Sequence, residues 1–141
     1  MVDKAKRVQL IAAIKALAEL PSTQRVLIPI SQFFDGNDDQ GSIGCNLSKH
    51  PGLRAFHKLL GRIQLMEEVA GVYLAITEVD ETYDTIWPFT DTALIATRLA
   101  PSAFESILGP LAPDSISRSE ESFANPPSMP EGYHLVSVWW D

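Results

Sequence analysis

The hydrophobic positions along the chain change period several times, and each change marks an element. Val8, Ile11, Ile14, Leu17 and Ala18 recur at spacings of three and four. That pattern predicts an amphipathic helix over residues 3–20, capped by Asp3 and stopped by Pro21. Val26-Leu27-Ile28-Pro29-Ile30 is a short β-branched run within 24–30 and reads as a strand that ends at Pro29 or lies at an edge. Leu53, Phe56, Leu60, Ile63 and Glu67 return to helical spacing, so 51–68 is a second helix with Pro51 in its first turn. The glycine inside it, Gly61, weakens the helix and permits a close approach to the sheet.

Residues 69–79 switch to period two. Val72, Leu74 and Ile76 face one way, and Tyr73, Ala75, Thr77 and Val79 face the other. Both faces are apolar enough to place this strand inside a sheet. Residues 92–99 form another strand. Phe104, Ile107, Leu108 and Leu111 make the stripe of a short helix opened by Pro101 and broken at Gly109-Pro110. Residues 112–132 are rich in Pro, Ser and Glu and read as an irregular connector, pinned by Ile116 and Phe123. Residues 133–140 are the last strand.

After the first helix the order is strand, helix, strand, strand, helix, strand. That is the split βαβ order, and it predicts an α+β, ferredoxin-like βαββαβ antiparallel sheet with an additional N-terminal helix over 1–22. The helix either joins the helical layer or covers the other face. A different α+β meander uses the same elements. The 141 residues form one domain, 1–141.

Composition narrows the function more than the fold. Apolar residues make up 45% and charged residues 21%, which supports a packed core. The formal net charge is −7, which opposes binding to nucleic acid and to anionic membranes and permits a basic protein partner. The first run of apolar residues is interrupted by Gln9, Lys15 and Glu19, unlike a signal-peptide core, and no run is long enough to span a bilayer. The single cysteine, Cys45, excludes an internal disulfide, so a cytoplasmic setting is expected.

One stretch stands apart, from Phe33 to Asn46. It holds Asp35, Asn37, Asp38, Asp39 and Asn46 among three glycines. Asp35, Asn37 and Asp39 alternate as calcium-loop oxygens do. Gln40 then stands where glycine is required, and Asn46 stands where a bidentate glutamate closes such a loop. A self-bonded Asx-rich turn accounts for the pattern better than a metal site. Cys45 with His50, oriented by Asp35 or Asp91, is a candidate nucleophile pair, but nothing in the sequence places these residues together. There is no phosphate-binding loop, dinucleotide turn or nucleophile elbow. No cofactor is expected and no catalytic residue is assigned.

The segments Phe33-Phe34-Asp35-Gly36-Asn37-Asp38-Asp39, Gly41-Ser42-Ile43-Gly44-Cys45-Asn46, Trp87-Pro88-Phe89-Thr90-Asp91-Thr92 and Trp139-Trp140-Asp141 resemble a small uncharacterised bacterial protein family. The resemblance implies a bacterial cytoplasmic protein and carries no activity. The resulting expectation is a non-enzymatic protein-binding or regulatory module, immunity- or inhibitor-like in one version. Its candidate surface is Asp35, Asn37, Asp38, Asp39, Asn46, His50, Trp87, Asp91 and Trp140. The competing class is an enzyme or metal-binding protein built on the Asp35–His50 loop with Asp91.

Overall fold

A computed structural model describes residues 1–141. Five strands form one antiparallel sheet: β1 (Leu27–Pro29), β2 (Val69–Glu78), β3 (Phe89–Thr97), β4 (Ser115–Arg118) and β5 (His134–Trp139). The spatial order is β1-β2-β3-β5-β4. Helices α1 (Lys4–Leu17), α2 (Ile30–Phe34), α3 (Leu53–Gln64) and α4 (Glu105–Leu108) complete the fold.

The α+β class and the antiparallel sheet agree with the sequence reading, but the ferredoxin-like connectivity does not. In a split βαβ unit another strand separates the two strands that the helix joins. Here β1 and β2 flank α3 in sequence and pair directly, with Leu27 opposite Ala75 and Pro29 opposite Tyr73. The four strands expected from sequence therefore lie in meander order, β1-β2-β3-β5, with β4 added outside β5. The connector 112–132 is also not wholly irregular. Its Ser-Ile-Ser-Arg segment pairs with β5, Ile116 opposite Val138, and forms an edge strand.

One face of the sheet carries the main core. Val72, Leu74 and Ile76 of β2, Ala93 and Ile95 of β3, and Val136 and Val138 of β5 pack with Phe56, Leu60 and Ile63 of α3 and with Leu10 and Ile14 of α1. The N-terminal helix thus joins the helical layer. Its buried stripe is Arg7, Leu10, Ile11 and Ile14, while Val8 is 62% exposed and Leu17 also faces out. The sequence stripe is rotated because the buried position that continues it is an arginine, which hydrophobic periodicity does not count.

The reverse face holds a smaller cluster of Leu27, Ala75, Leu94 and Phe123. Phe123 arrives from the segment after β4, which crosses from one edge of the sheet to the other. The Ser119 N–H bonds the Leu135 carbonyl, and the Ala124 N–H bonds the Arg25 carbonyl. At the far edge the Asn125 amide takes both polar groups of Leu27: Oδ1 accepts from its N–H at 2.8 Å and Nδ2 donates to its carbonyl at 2.9 Å. A side-chain amide thereby fills the place of a neighbouring strand and closes an otherwise open edge.

Candidate functional site

The Asp35–Asn46 loop is ordered by its own side chains. Asn37 Oδ1 accepts from the Asp39 N–H at 2.9 Å, and Asn37 Nδ2 donates to Ser42 Oγ at 3.0 Å. Asp39 Oδ1 caps the 3₁₀ turn Gln40–Ser42 by accepting from the Gly41 N–H. These are Asx turns, as the alternation of Asp and Asn allows. Two glycines are required. Gly36 and Gly44 have φ of +79° and +65°, and a Cβ on Gly44 would lie 2.8 Å from Phe56 Cζ. The loop therefore sits directly on the core.

Two anchors hold it there. Asp39 Oδ2 accepts from the Trp87 N–H at 3.0 Å, and Ile43 bridges Thr90 in parallel. The loop and the segment before β3 are in direct contact. His50 Nε2 donates to the Ile43 carbonyl at 2.8 Å while Nδ1 accepts from the Gly52 N–H at 3.0 Å, the neutral tautomer that satisfies both partners. Both ring nitrogens are thus used in ordering backbone, and neither is free to activate a thiol. Cys45 is exposed, and no contact joins it to His50.

Helix α1 fastens two loops. Its basic first turns pair Lys4 with Asp84 and Lys6 with Asp35, and the Met1 ammonium with Asp38. Lys15 reaches Glu81 at 2.7 Å. Buried Arg7 has no carboxylate partner. Its Nε donates to the Ile86 carbonyl at 2.6 Å, and its Nη2 to the carbonyls of Asp80 and Tyr83 at 2.9 Å. It supplies the donors that an irregular loop lacks for its own carbonyls. The hydrogen bond and charge of Asp35 raise the Lys6 pKa. The Thr82 backbone N–H holds the Asp80 carboxyl below the usual carboxylate range.

Asp91 belongs to a different cluster. The ladder between β2 and β3 slips where Ala75 faces Thr92 and Ile76 faces Thr90, leaving Asp91 as the extra residue of a bulge. Its carboxylate accepts from Thr77 and Thr92 and pairs with Arg25 Nη1 at 2.9 Å. Arg25 also grips Glu121 through two bonds, of 2.8 and 2.7 Å, and reaches Thr77 and Thr92, so all five of its N–H groups have acceptors. Glu121 lies on the crossing segment, so this cluster straps it to the sheet. Arg25 and Glu121 carried no motif in the sequence; an Arg between a helix and a strand gives no spacing signal.

The nominated residues therefore divide. Asp35, Asn37, Asp38 and Asp39 share one loop, with His50 behind it and Asp91 in the strap cluster. Nothing in the structure gives Asn46 a side-chain bond. Trp87 and Trp140, proposed as surface residues, are buried; Trp140 Nε1 donates to the Leu111 carbonyl at 2.8 Å. The exposed member of the pair is Trp139, at 39%. The three oxygens proposed for a cation, from Asp35, Asn37 and Asp39, turn to Lys6, to the Asp39 backbone and to the Gly41 and Trp87 backbones, and no group of three acidic, His or Cys side chains converges anywhere. A cleft of about 360 Å³ lies between the end of α1 and β2, lined by Ile14, Leu20, Arg25, Ile76, Glu78 and Glu81 among others. None of the nine residues of the candidate surface lines it. No helix is long and apolar enough to cross a membrane.

Fold and contacts together define an α+β protein with one antiparallel sheet, whose loops are locked by side-chain hydrogen bonds and ion pairs. The chain belongs to the family described as uncharacterized protein YfbO, whose model matches residues 5–138. It is 32% identical over 124 residues to the uncharacterized protein YfbO of Escherichia coli (strain K12), which covers 86% of each chain. No solved structure matches it. An uncharacterised family without an assigned activity was expected, and the family found is of that kind.

Proposed function

We propose that this protein is a non-enzymatic binding or regulatory module that acts in the cytoplasm through its surface. The observation that carries the reading is how its polar side chains are used. Asp39, His50, Arg7 and Arg25, the groups whose types suit chemistry, each spend their donors or acceptors on neighbouring backbone or on a fixed ion pair. Catalysis by such groups needs a free lone pair or proton facing a substrate-sized cavity. A rigid, pre-ordered surface is instead what protein recognition favours, because little entropy is lost on docking.

A basic partner, as in the immunity-type version, would be met by carboxylates outside the internal pairs. Glu67, Glu78, Glu120 and Glu131 are exposed and form no ion pair, whereas Asp35 of the loop is paired with Lys6. Capture with the tagged full chain from bacterial lysate, followed by binding of the purified candidate at matched concentration, tests the reading. A stoichiometric partner with micromolar or tighter affinity is expected. Turnover of any substrate that survives purification to homogeneity, and is lost on His50→Gln, would overturn it in favour of an enzyme.

A further inference from the structure

The charge on this molecule is segregated, and the segregation points to a second kind of contact. From Gln40 to Met66 there is no Asp or Glu, while Lys49, Arg54, Lys58 and Arg62 all fall there. The net charge of −7 is therefore +4 in this segment and −11 elsewhere. All four cations are exposed, and none takes part in an ion pair or a side-chain hydrogen bond. Elsewhere Lys4, Lys6, Lys15 and Arg25 are paired, and the exposed, unpaired Arg98 and Arg118 stand singly rather than on one helix face.

Helix α3 turns Phe56, Leu60 and Ile63 into the core. Arg54, Lys58 and Arg62 follow one another at i, i+4 on the opposite side, a ridge about 12 Å long with charges about 6 Å apart along the axis. Neighbouring like charges at this spacing repel and weaken the helix. Arg54 also sits in the first turn, where the helix dipole disfavours a cation and where no acidic residue compensates it. Only Arg62, in the last turn, is well placed for the helix itself. The ridge works against the helix that carries it, and an anionic ligand would relieve every one of these terms.

We infer that the Arg54–Lys58–Arg62 ridge of α3 is a docking face for an acidic segment of a partner protein, one presenting carboxylates about one helical turn apart. The inference rests on the binding-module reading and names one face and the chemistry of its partner. Charge complementarity selects a short anion over a long one. Screening reaches about 8–10 Å at physiological salt, so a nucleic acid running past a 12 Å ridge would meet the −11 of the remaining surface. A membrane would meet the same repulsion, and the one large apolar side chain fully exposed beside the ridge is Leu65, at 87%.

The test uses the full chain with a synthetic helical peptide carrying Glu at every fourth position, read by amide chemical shifts. Shifts confined to residues 49–65 are expected, together with an affinity that falls as salt is raised. R54Q/K58Q/R62Q should weaken binding about tenfold or more, as loss of several ion pairs implies, and should leave the melting temperature of the free protein unchanged or higher. R98Q/R118Q, which removes two exposed cations outside the segment, should bind as the parent does. Equal binding by the triple variant, shifts centred elsewhere, or tighter binding of a duplex oligonucleotide or a phosphatidylserine vesicle at the ridge would each overturn the assignment. Lysate capture is blind to which face is used: a partner retained by the triple variant removes the ridge alone, and the absence of any partner removes the module.

Discussion

The carboxylate of Asp39 accepts the backbone N–H of Trp87 across 48 residues of sequence, at 3.0 Å. Its other oxygen accepts the Gly41 N–H, so one side chain both shapes its own loop and docks it against the entry to β3. Asp39→Ala leaves both N–H groups without that acceptor and should cost about 1–3 kcal/mol in urea unfolding. Asp39→Asn retains one carbonyl oxygen and should fall between. Faster hydrogen exchange at the Trp87 amide would check that the contact itself is lost; protection equal to the parent's would refute it.

Arg7 holds three carbonyls of the 80–86 loop against α1 from a buried position. Arg7→Met preserves the apolar stem and removes every donor, leaving the carbonyls to desolvation. A loss of about 3 kcal/mol is expected, with faster proteolysis within 80–86. Arg7→Lys should recover only part, because a point-like ammonium cannot serve the spread of acceptors that the planar guanidinium reaches.

Asn125 and Arg25 fasten the same crossing segment at neighbouring points. Asn125→Ala should lose about 1–3 kcal/mol by uncovering the Leu27 N–H and carbonyl. Arg25→Met should lose more than Glu121→Gln, because it leaves both Asp91 and Glu121 without their cation, whereas Glu121→Gln removes one carboxylate and keeps the Arg25–Asp91 pair. The two fasteners should couple: in a double-mutant cycle Asn125→Ala and Arg25→Met together should cost less than the sum of the single changes. Strict additivity would show that the segment is not held as a unit.

Two groups with shifted pKa values contribute to the ends of the pH profile. Folding raises the pKa of Lys6, so its contribution is fully present below the unfolded value, near about 10.4, and is lost as pH climbs through the folded one. Folding lowers the pKa of Asp80, so its contribution is present above about 3.9 and is lost as pH falls through the folded value. Lys6→Met should flatten the alkaline limb of a melting-temperature profile, and Asp80→Asn the acid limb, each without changing the other. Unaltered limbs in both variants would exclude these groups.

Much of this was visible in the chain. The period of two in 69–79, the stripe of Phe56, Leu60 and Ile63, and the final alternation each gave an element in its observed place, because each reports burial on one face. The strand order was not visible. It depends on which edges meet after β1 leaves for α3, a long-range choice with no local spacing. β4 escaped because its only inward residue is Ile116 among polar neighbours, and α2 because five residues are too few to show a helical period. In the candidate loop the Asx turns were readable, but the fate of each spare oxygen was not. Lys6, Trp87 and the Met1 ammonium, all distant in sequence, decide that.

The closure of the β1 edge by Asn125 also orders events in time. The two bonds that seal Leu27 join residues 98 positions apart. A chain made from its N-terminus at about 5–20 residues per second presents β1 for several seconds before Asn125 exists, and longer before it clears the ribosome. During that interval Leu27 and Ile28 expose an unpaired, apolar strand edge to whatever is nearby. Truncation before residue 125 should therefore yield aggregates rather than a smaller folded protein, and a chaperone that holds exposed strands should engage this chain early and release it late.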